Sequence, residues 1–323
     1  MSKQHPPPVV GVAAPGGAFS LKSVDPLTPT WLRIVPFFMS AVFFMSGIFS
    51  LFSPLPLLLL FERSGRRWAW IAAISNALLV YALGGWNSVR LFAPLILTVA
   101  LSLPEFLHSR RSLERIVIMT LAIMFAVGTG VAAAHAIEHH INPITDIRNE
   151  LSKMIDYLMN SISPEMRSNW LAEVGLEEWK QGLLREIPSA VGIFSLLLVW
   201  ANLVMLLRLN PSDVRARLGI NTDYFKNWKA PEYLLWPTVI TGFLVIFNLG
   251  WASDVGINAF KLLMAIYALQ GLSILSFVFD AWKIRGLFRT VGFAVAVVLM
   301  LPLVLSLGFF DVWFDFRAKL RQS

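Results

Sequence analysis

The residues with the clearest capacity for chemistry are two histidines and a glutamate at the end of an apolar run. His135, Glu138 and His139 form the pattern H-x-x-E-H, in which the two imidazoles share one face of a helix. A pair of imidazoles at this spacing can bind zinc in a metal-dependent hydrolase. A catalytic zinc normally needs a third protein ligand, and the spacing of the sequence assigns none. We therefore expect no tightly bound metal and no cofactor, and we rank a metal-dependent membrane hydrolase third among three functional hypotheses.

A second group of candidates consists of polar residues within or beside apolar runs. Each costs free energy in lipid unless it contacts a partner or water. For the deeper ones, Asn76, Asn202 and Gln270, hydrogen bonding between helices is the alternative to ligand binding. Broken helices and polar side chains near their outer ends tend to line ligand sites. The sequence predicts one outer cavity with these lining residues: Asn76, Trp86, Arg90, His135, Glu138, Asn248 and Lys261.

The elements that must position these residues are membrane helices. The run from Trp31 to Phe61 carries a single charge, Arg33, and similar runs recur along the chain. Charged residues make up 15% of the sequence, against about 25% in a soluble domain, and the mean hydropathy is +0.65. In such a protein a net charge of +7 is a topology signal rather than a sign of nucleic-acid binding. The absence of cysteine excludes disulfides and thiolate chemistry.

The first apolar run is too long for one crossing and too short for two, since a span needs roughly 20 apolar residues. Pro54 and Pro56 break it, which predicts a span over about residues 31–49 and a short half-helix over 53–61. We predict an all-α, polytopic membrane helix bundle of about eight full spans plus this Pro-containing half-helix. The other seven spans are predicted at about 68–86, 88–107, 116–138, 189–209, 233–252, 257–281 and 288–310.

Charge divides the connecting loops into two classes. Four basic loops, around Arg66, Arg111, Lys226 and Arg285, alternate along the chain, and the positive-inside rule makes their face cytoplasmic. A long amphipathic insertion then lies outside as two short helices. If the half-helix returns the chain to the cytoplasm, the C-terminus falls outside as well, but the basic residues Arg317, Lys319 and Arg321 of the tail conflict with the positive-inside rule, so the side of the C-terminus stays open. The predicted division is a disordered tail (1–30), an N-terminal membrane bundle (31–138), the extracytoplasmic helical insertion (139–187), a C-terminal membrane bundle (188–310) and an interfacial tail (311–323).

Several segments resemble a known family. They are SPLPLLLLFERSGRRWAWIAAISNALLVYALGG, SLLLVWANLVMLLRL and the C-terminal block from INAFKLLMAIYALQGLSILSFVF to LGFFDVWFDFRAKL. Together they resemble the YybS-like family of bacterial multi-pass membrane proteins of unknown function. The N-terminal part is similar to the S components of energy-coupling-factor transporters, which have a short Pro-containing second helix and a Gly/Ala-rich third, as at Ser53–Phe61 and Trp68–Gly85. The insertion and the additional C-terminal spans depart from that six-helix plan, so the resemblance implies no ligand residues.

The resemblance favours a non-enzymatic protein of the bacterial cytoplasmic (inner) membrane that binds a small solute or takes part in its transport. No phosphate-binding loop occurs in the sequence, so a membrane-protein partner would have to supply energy coupling. The expected partners are the lipid bilayer, a small-molecule solute and that coupling protein, with no nucleic acid. The alternative is a membrane scaffold or assembly factor without a ligand. A hydrated pocket beneath the insertion favours the first hypothesis, and a dry interior of Leu and Phe favours the second.

Overall fold

A computed structural model describes residues 34–109, 111–163, 175–209, 214–215, 218–221, 223–247 and 250–322. All regular structure within these ranges is helical. The predicted tail 1–30 and the predicted site residue Asn248 lie outside the described residues.

The helices follow the chain in a simple order. They are α1 (Pro36–Met45), α2 (Leu55–Ser64), α3 (Arg66–Phe92), α4 (Thr98–Leu107), α5 (Leu113–His139), α6 (Pro143–Ser161), α7 (Leu176–Leu209), α8 (Tyr224–Asn227), α9 (Leu235–Ile246), α10 (Trp251–Ala281), α11 (Gly286–Val298), α12 (Leu301–Phe314) and α13 (Phe316–Gln322). Short 3₁₀ turns at Ser50–Phe52 and Glu232–Leu234 precede α2 and α9, and a π-helical turn at Ala93–Leu97 joins α3 to α4.

The prediction of about eight full spans is not supported. Within the described residues, four helical runs are long and apolar enough to cross a membrane, or five if the bent pair α11–α12 is one span. The four are Arg66–Leu107, α5, α7 and α10. The predicted spans 31–49 and 233–252 correspond to shorter helices: α1 has 10 residues and α9 has 12. At about 1.5 Å per residue these cover only about half of a hydrocarbon layer about 30 Å thick.

The run Arg66–Leu107 does not continue straight. Gly85, near its middle, has φ 68° and ψ −172°, a conformation that breaks the helix and that glycine adopts without a steric penalty. The far ends come together again, because Arg66 Nε lies 3.0 Å from Glu105 Oε1. In a straight helix these residues would be about 58 Å apart. The run is therefore two arms that fold back at Gly85, a first arm (66–84) and a second arm (86–107).

The short helix α2 lies between these arms. It begins directly after Pro54 and ends at Gly65, whose φ of 89° stops the helix. Leu57 and Leu60 are buried in one cluster with alanines of the first arm and Ala100 of the second. The half-helix that the sequence predicts at 53–61 is therefore present as α2, and it packs against both arms toward the end opposite Gly85.

The insertion contains one separate helix in the described residues, not two. The side chain of Asn142 caps α6 by accepting a hydrogen bond from Ile144 N at 2.9 Å. The second predicted helix is continuous with a membrane-span candidate, because α7 begins at Leu176 and runs through Pro188 without ending. The predicted boundary at 187/188 thus falls inside a helix. Lys180 of α7 bonds Asp156 of α6 at 2.8 Å.

The C-terminal helix lies at the same end of the bundle as the basic loops. Lys226 and Arg289 both contact the carboxylate of Asp280, and the Lys226 carbonyl accepts a hydrogen bond from Arg317 at 3.2 Å. Both ends of the pair α11–α12, which is bent by 91°, therefore meet the segment around Lys226. The two ends of the bent pair thus lie at the same end of the bundle. Arg317 and the basic loop around Lys226 are in contact, which favours the same face of the membrane for both and argues against an outer C-terminus.

This arrangement predicts the result of cysteine labelling, for which the chain is well suited because it has no native cysteine. In spheroplasts, Ser112→Cys and Lys319→Cys should both be shielded from a membrane-impermeant thiol reagent, whereas Tyr157→Cys on α6 should react. Tyr157 is 74% exposed, so burial does not limit its reaction. If Lys319→Cys reacts as fully as Tyr157→Cys, the C-terminal helix lies on the outer face and the assignment fails.

Helices α10 and α12 cross in direct backbone contact. A Cβ atom added at Gly308 would lie 1.8 Å from the carbonyl oxygen of Tyr267, and one added at Gly271 would lie 2.0 Å from that of Val304. Small residues at such crossings let membrane helices approach closely. These glycines set the position of the whole C-terminal pair.

Replacing Gly308 with Ala should lower the thermal stability of the detergent-solubilised protein, because a backbone oxygen cannot give way as a side chain can. We expect a loss of about 1–3 kcal/mol or more. Gly130→Ala is the matched control, since nothing lies within 4 Å of its added Cβ. Equal melting temperatures for the two variants would show that the crossing is not tightly packed.

Candidate functional site

An open groove lies between the two arms, with a volume of about 470 Å³. We call it the aromatic groove. Its walls are almost wholly apolar, and three of its side chains are large aromatics. The lining residues are Trp70, Ala73, Ile74, Ala77, Leu78 and Tyr81 from the first arm, and Trp86, Val89, Leu97 and Leu101 from the second arm or the turn that precedes α4.

The spacing of the first arm explains how the groove forms. Its six lining residues recur at intervals of three and four, which places them on one face of the helix. Ala73 and Ala77 are small and leave space at the centre of this face. Tyr81 and Trp86 stand on either side of the reversal with ring centroids 6.3 Å apart, edge to face. The groove thus exists because Gly85 turns two apolar faces toward each other.

Asn76, on the same arm, is not among the lining residues of the groove. Its amide oxygen accepts a hydrogen bond from Ala41 N at 2.8 Å. Its amide nitrogen donates to the carbonyls of Pro36, at 2.8 Å, and Ala72, at 2.7 Å. Asn76 is fully buried, and its two bonds to Pro36 and Ala41 fix α1 against the first arm.

The other predicted site residues contact different helices. Trp86 lines the groove. Arg90 hydrogen-bonds Asn87 on its own helical turn, and Lys261 of α10 pairs with Glu186 of α7 at 2.5 Å. Of the six predicted residues that the structure describes, the aromatic groove therefore includes Trp86 alone.

His135 and Glu138 belong to a separate cluster at the end of α5. The rings of His135 and His139 have centroids 4.3 Å apart. One ligand atom from each of His135, Glu138 and His139 can be chosen so that all lie within 4.8 Å of one another. From the next helix, Asp146 Oδ2 approaches His135 Nε2 at 3.7 Å. The sequence pattern identified the first three residues but not Asp146. Asp146 lies near the end of α5 because the chain turns at His140, which has a φ of 53°.

A buried polar network in the C-terminal half was missed from the sequence. Asp311 and Arg317 are 1% and 2% exposed, and Arg317 Nη2 donates to Asp311 Oδ2 at 2.6 Å. Arg317 Nη1 also donates to the carbonyls of Trp228, at 2.9 Å, and Lys226, at 3.2 Å. The interpretation of 311–323 as an interfacial tail overlooked this pair, because the partners of Arg317 come from a loop some ninety residues away.

Gln270 completes the network from the centre of α10. Its amide nitrogen donates to Asp311 Oδ2 at 2.9 Å, and its amide oxygen accepts from Ala230 N, also at 2.9 Å. One side chain therefore connects α10, α12 and the segment that leads into α9. Gln270 acts as a link between helices, which was the alternative to ligand binding for this residue.

Weaker ion pairs surround the network on the loop side. Lys229 lies 3.0 Å from Asp315, and this contact lowers the pKa of the Asp315 carboxyl. Burial, aided by the neighbouring Glu114 carboxylate, raises the pKa of Tyr224 to about 12. Lys226 is held in its charged form because Asp280 raises its pKa. Near neutral pH, Lys226 and Asp315 therefore act as fixed charges, whereas the Tyr224 hydroxyl stays protonated and neutral.

Comparison with known proteins assigns a family. A family model described as a predicted membrane protein (DUF2232) matches residues 33–312, which is most of the chain. No curated protein and no solved structure matches the chain. The match agrees with the membrane helices but confirms neither the YybS-like name nor the similarity to S components.

The buried pair predicts a large difference between two aspartates four residues apart. Asp311→Asn should destabilise the protein by about 3 kcal/mol or more, because it leaves the buried Arg317 without its counter-charge. Asp315→Asn should cost about 1 kcal/mol or less, since its pair with Lys229 is about half exposed. Thermal unfolding in detergent measures both. Similar losses in the two variants would mean that the Asp311–Arg317 pair is not buried.

Proposed function

We propose that this chain, which belongs to the DUF2232 family of predicted membrane proteins, binds a small, largely apolar solute in the aromatic groove. The binding serves the transport of this solute across the bacterial cytoplasmic membrane. The single observation that carries the proposal is an apolar groove with three aromatic side chains, built by two membrane arms that fold back at Gly85.

The size and lining of the groove fit a small molecule. Ligand sites commonly have volumes of about 300–1,000 Å³ and apolar or aromatic walls, and the groove has about 470 Å³. Trp70, Tyr81 and Trp86 are each between 45% and 60% exposed, so their surfaces are available for contact. Each can cover part of an apolar ligand.

The hydrogen bonds of the bundle limit the chemistry of the solute. Asn76 and Gln270, two of the deep amides that the sequence marks as possible contacts, are bonded to backbone or side-chain groups of neighbouring helices through both their nitrogen and their oxygen. These amides are therefore not available to a solute, and the groove walls are almost wholly apolar, so a polar solute would lose its hydrogen bonds to water without replacement. An apolar solute needs none of them, and it can enter the groove sideways from the bilayer.

The closed ends of the groove favour this lateral route. At one end Gly85 joins the arms covalently, and at the other α2 and the pair Arg66–Glu105 lie between them. The long side of the groove remains open. The energy for movement would come from a second membrane protein, since the sequence carries no phosphate-binding loop.

The alternative, a scaffold or assembly factor, is favoured by a different observation. Deeply buried amides such as Asn76 and Gln270 stabilise helix contacts, as expected of a protein whose role is structural. In that case the aromatic groove holds only membrane lipid. The two hypotheses differ in whether a specific small molecule accompanies the protein.

Mass spectrometry of protein extracted into lipid nanodiscs tests the proposal. Ile74→Trp adds bulk to the groove wall, and Ile240→Trp on α9 is the matched control, because both isoleucines are 58% exposed. A bound species other than bulk phospholipid should accompany the wild type and Ile240→Trp, and its amount should fall at least about tenfold in Ile74→Trp, the loss produced by about 1.4 kcal/mol of clash. If no such species is found, or if Ile74→Trp retains it fully, the scaffold hypothesis replaces this one.

A further inference from the structure

We propose that His135, Glu138, His139 and Asp146 form a binding site for a divalent transition-metal ion, with zinc as the best match, which links α5 to α6. Three of these residues present ligand atoms within 4.8 Å of one another, and Asp146 Oδ2 is 3.7 Å from His135 Nε2. The site lies at the end of α5 and shares no residue with the aromatic groove, so the proposal does not depend on solute binding.

The chemistry of the four side chains points to this class of ion. Imidazole nitrogen suits zinc, copper, iron and nickel, whereas calcium and magnesium prefer sites made of oxygen ligands. Two imidazoles and two carboxylates can complete a tetrahedral zinc site with ligand distances of about 2.0–2.2 Å. The present separations need only side-chain rotation to close around an ion, because Glu138 and His139 are exposed and free to turn.

An unsatisfied atom in the cluster supports a missing ligand. His135 Nδ1 is buried and has no hydrogen-bond partner among the described residues. A buried polar atom without a partner costs about 1–3 kcal/mol. Coordination of a metal ion by Nδ1, after a turn of the imidazole, would give this atom the partner that the described residues do not provide.

The local electrostatics also favour a cation. Glu138 and Asp146 contribute two carboxylates, and α5 ends at His139, so its last carbonyl groups carry the negative end of the helix dipole toward the cluster. The expectation of no tightly bound metal rested on the absence of a third ligand. Glu138 and the side chain of Asp146, which comes from the next helix, supply a third and a fourth.

With four protein ligands the site has no open position for water, so it differs from a catalytic zinc. Its role is to fasten the first turn of α6 to the end of the α5 membrane helix. Metal binding would then fix the orientation of the insertion, which contacts α7 through Asp156 and Lys180.

Zinc titration of the full-length protein in detergent, purified without a polyhistidine tag, tests this site. Isothermal titration calorimetry and elemental analysis should give one zinc ion per chain. His135→Ala should weaken zinc binding by more than about 100-fold, and Asp146→Asn by about 10–100-fold. Loss of a group that only hydrogen-bonds a metal ligand typically lowers metal affinity by about 10–100-fold, and loss of a ligand itself should cost at least as much. His140→Asn is the control, since His140 adjoins the cluster but is not one of its ligands, and Asn tolerates the positive φ found there.

Cobalt substitution gives an independent readout, because four-coordinate Co²⁺ has intense visible absorption bands. These bands should appear in the wild type and His140→Asn and be absent in His135→Ala. Zinc binding that is equal in all variants, or absent in the wild type, overturns the site. Full affinity in Asp146→Asn overturns the link between α5 and α6.

Discussion

The structure depends on one constraint. A break in a membrane helix exposes backbone N–H and C=O groups to which lipid offers no hydrogen bond, so a neighbouring side chain must supply it. Asn258 of α10 shows this at Pro188, the proline inside α7. Its amide nitrogen donates to the Arg185 carbonyl at 2.9 Å, and its oxygen accepts from Ser189 N at 2.8 Å. Asn76 does the same for α1, and Arg317 for the carbonyls of the loop before α9. Each break thereby becomes a contact between two helices, and these contacts determine how the bundle assembles.

Because of this constraint, the buried polar side chains bond other parts of the protein and do not line the aromatic groove. Arg317 and Asp311 stabilise the C-terminal half and leave little for a ligand there, since each charge is already hydrogen-bonded to several groups. The N-terminal half has one large break, at Gly85, where two apolar faces turn toward each other across the aromatic groove. Polar residues inside this bundle are therefore poor guides to the proposed binding groove, and aromatic side chains with exposed faces are better ones.

Sequence patterns predicted the class of the protein and several of its parts for physical reasons. Long apolar runs require a membrane, and Pro54 and Pro56 require a break, so helical membrane structure and α2 could be predicted. The number of spans could not be predicted, because hydropathy measures how apolar a segment is and not where its helix bends. The 91° turn between α11 and α12 lies just before Pro302, a helix-breaking residue within the predicted span 288–310 that the span count did not take into account. Asp146 and Arg317 were missed because their partners lie on other helices, and no spacing along the chain reports such contacts.

The reversal at Gly85 has a mechanical consequence. Because the chain reverses at a single residue, the angle between the arms depends on the φ and ψ torsions of Gly85, on the exposed ion pair Arg66–Glu105 and on the packing of α2 against both arms. Glycine tolerates a wide range of these torsions. The width of the groove therefore depends on one permissive residue and one short helix, so that a change in either would alter the shape of the groove without altering its walls.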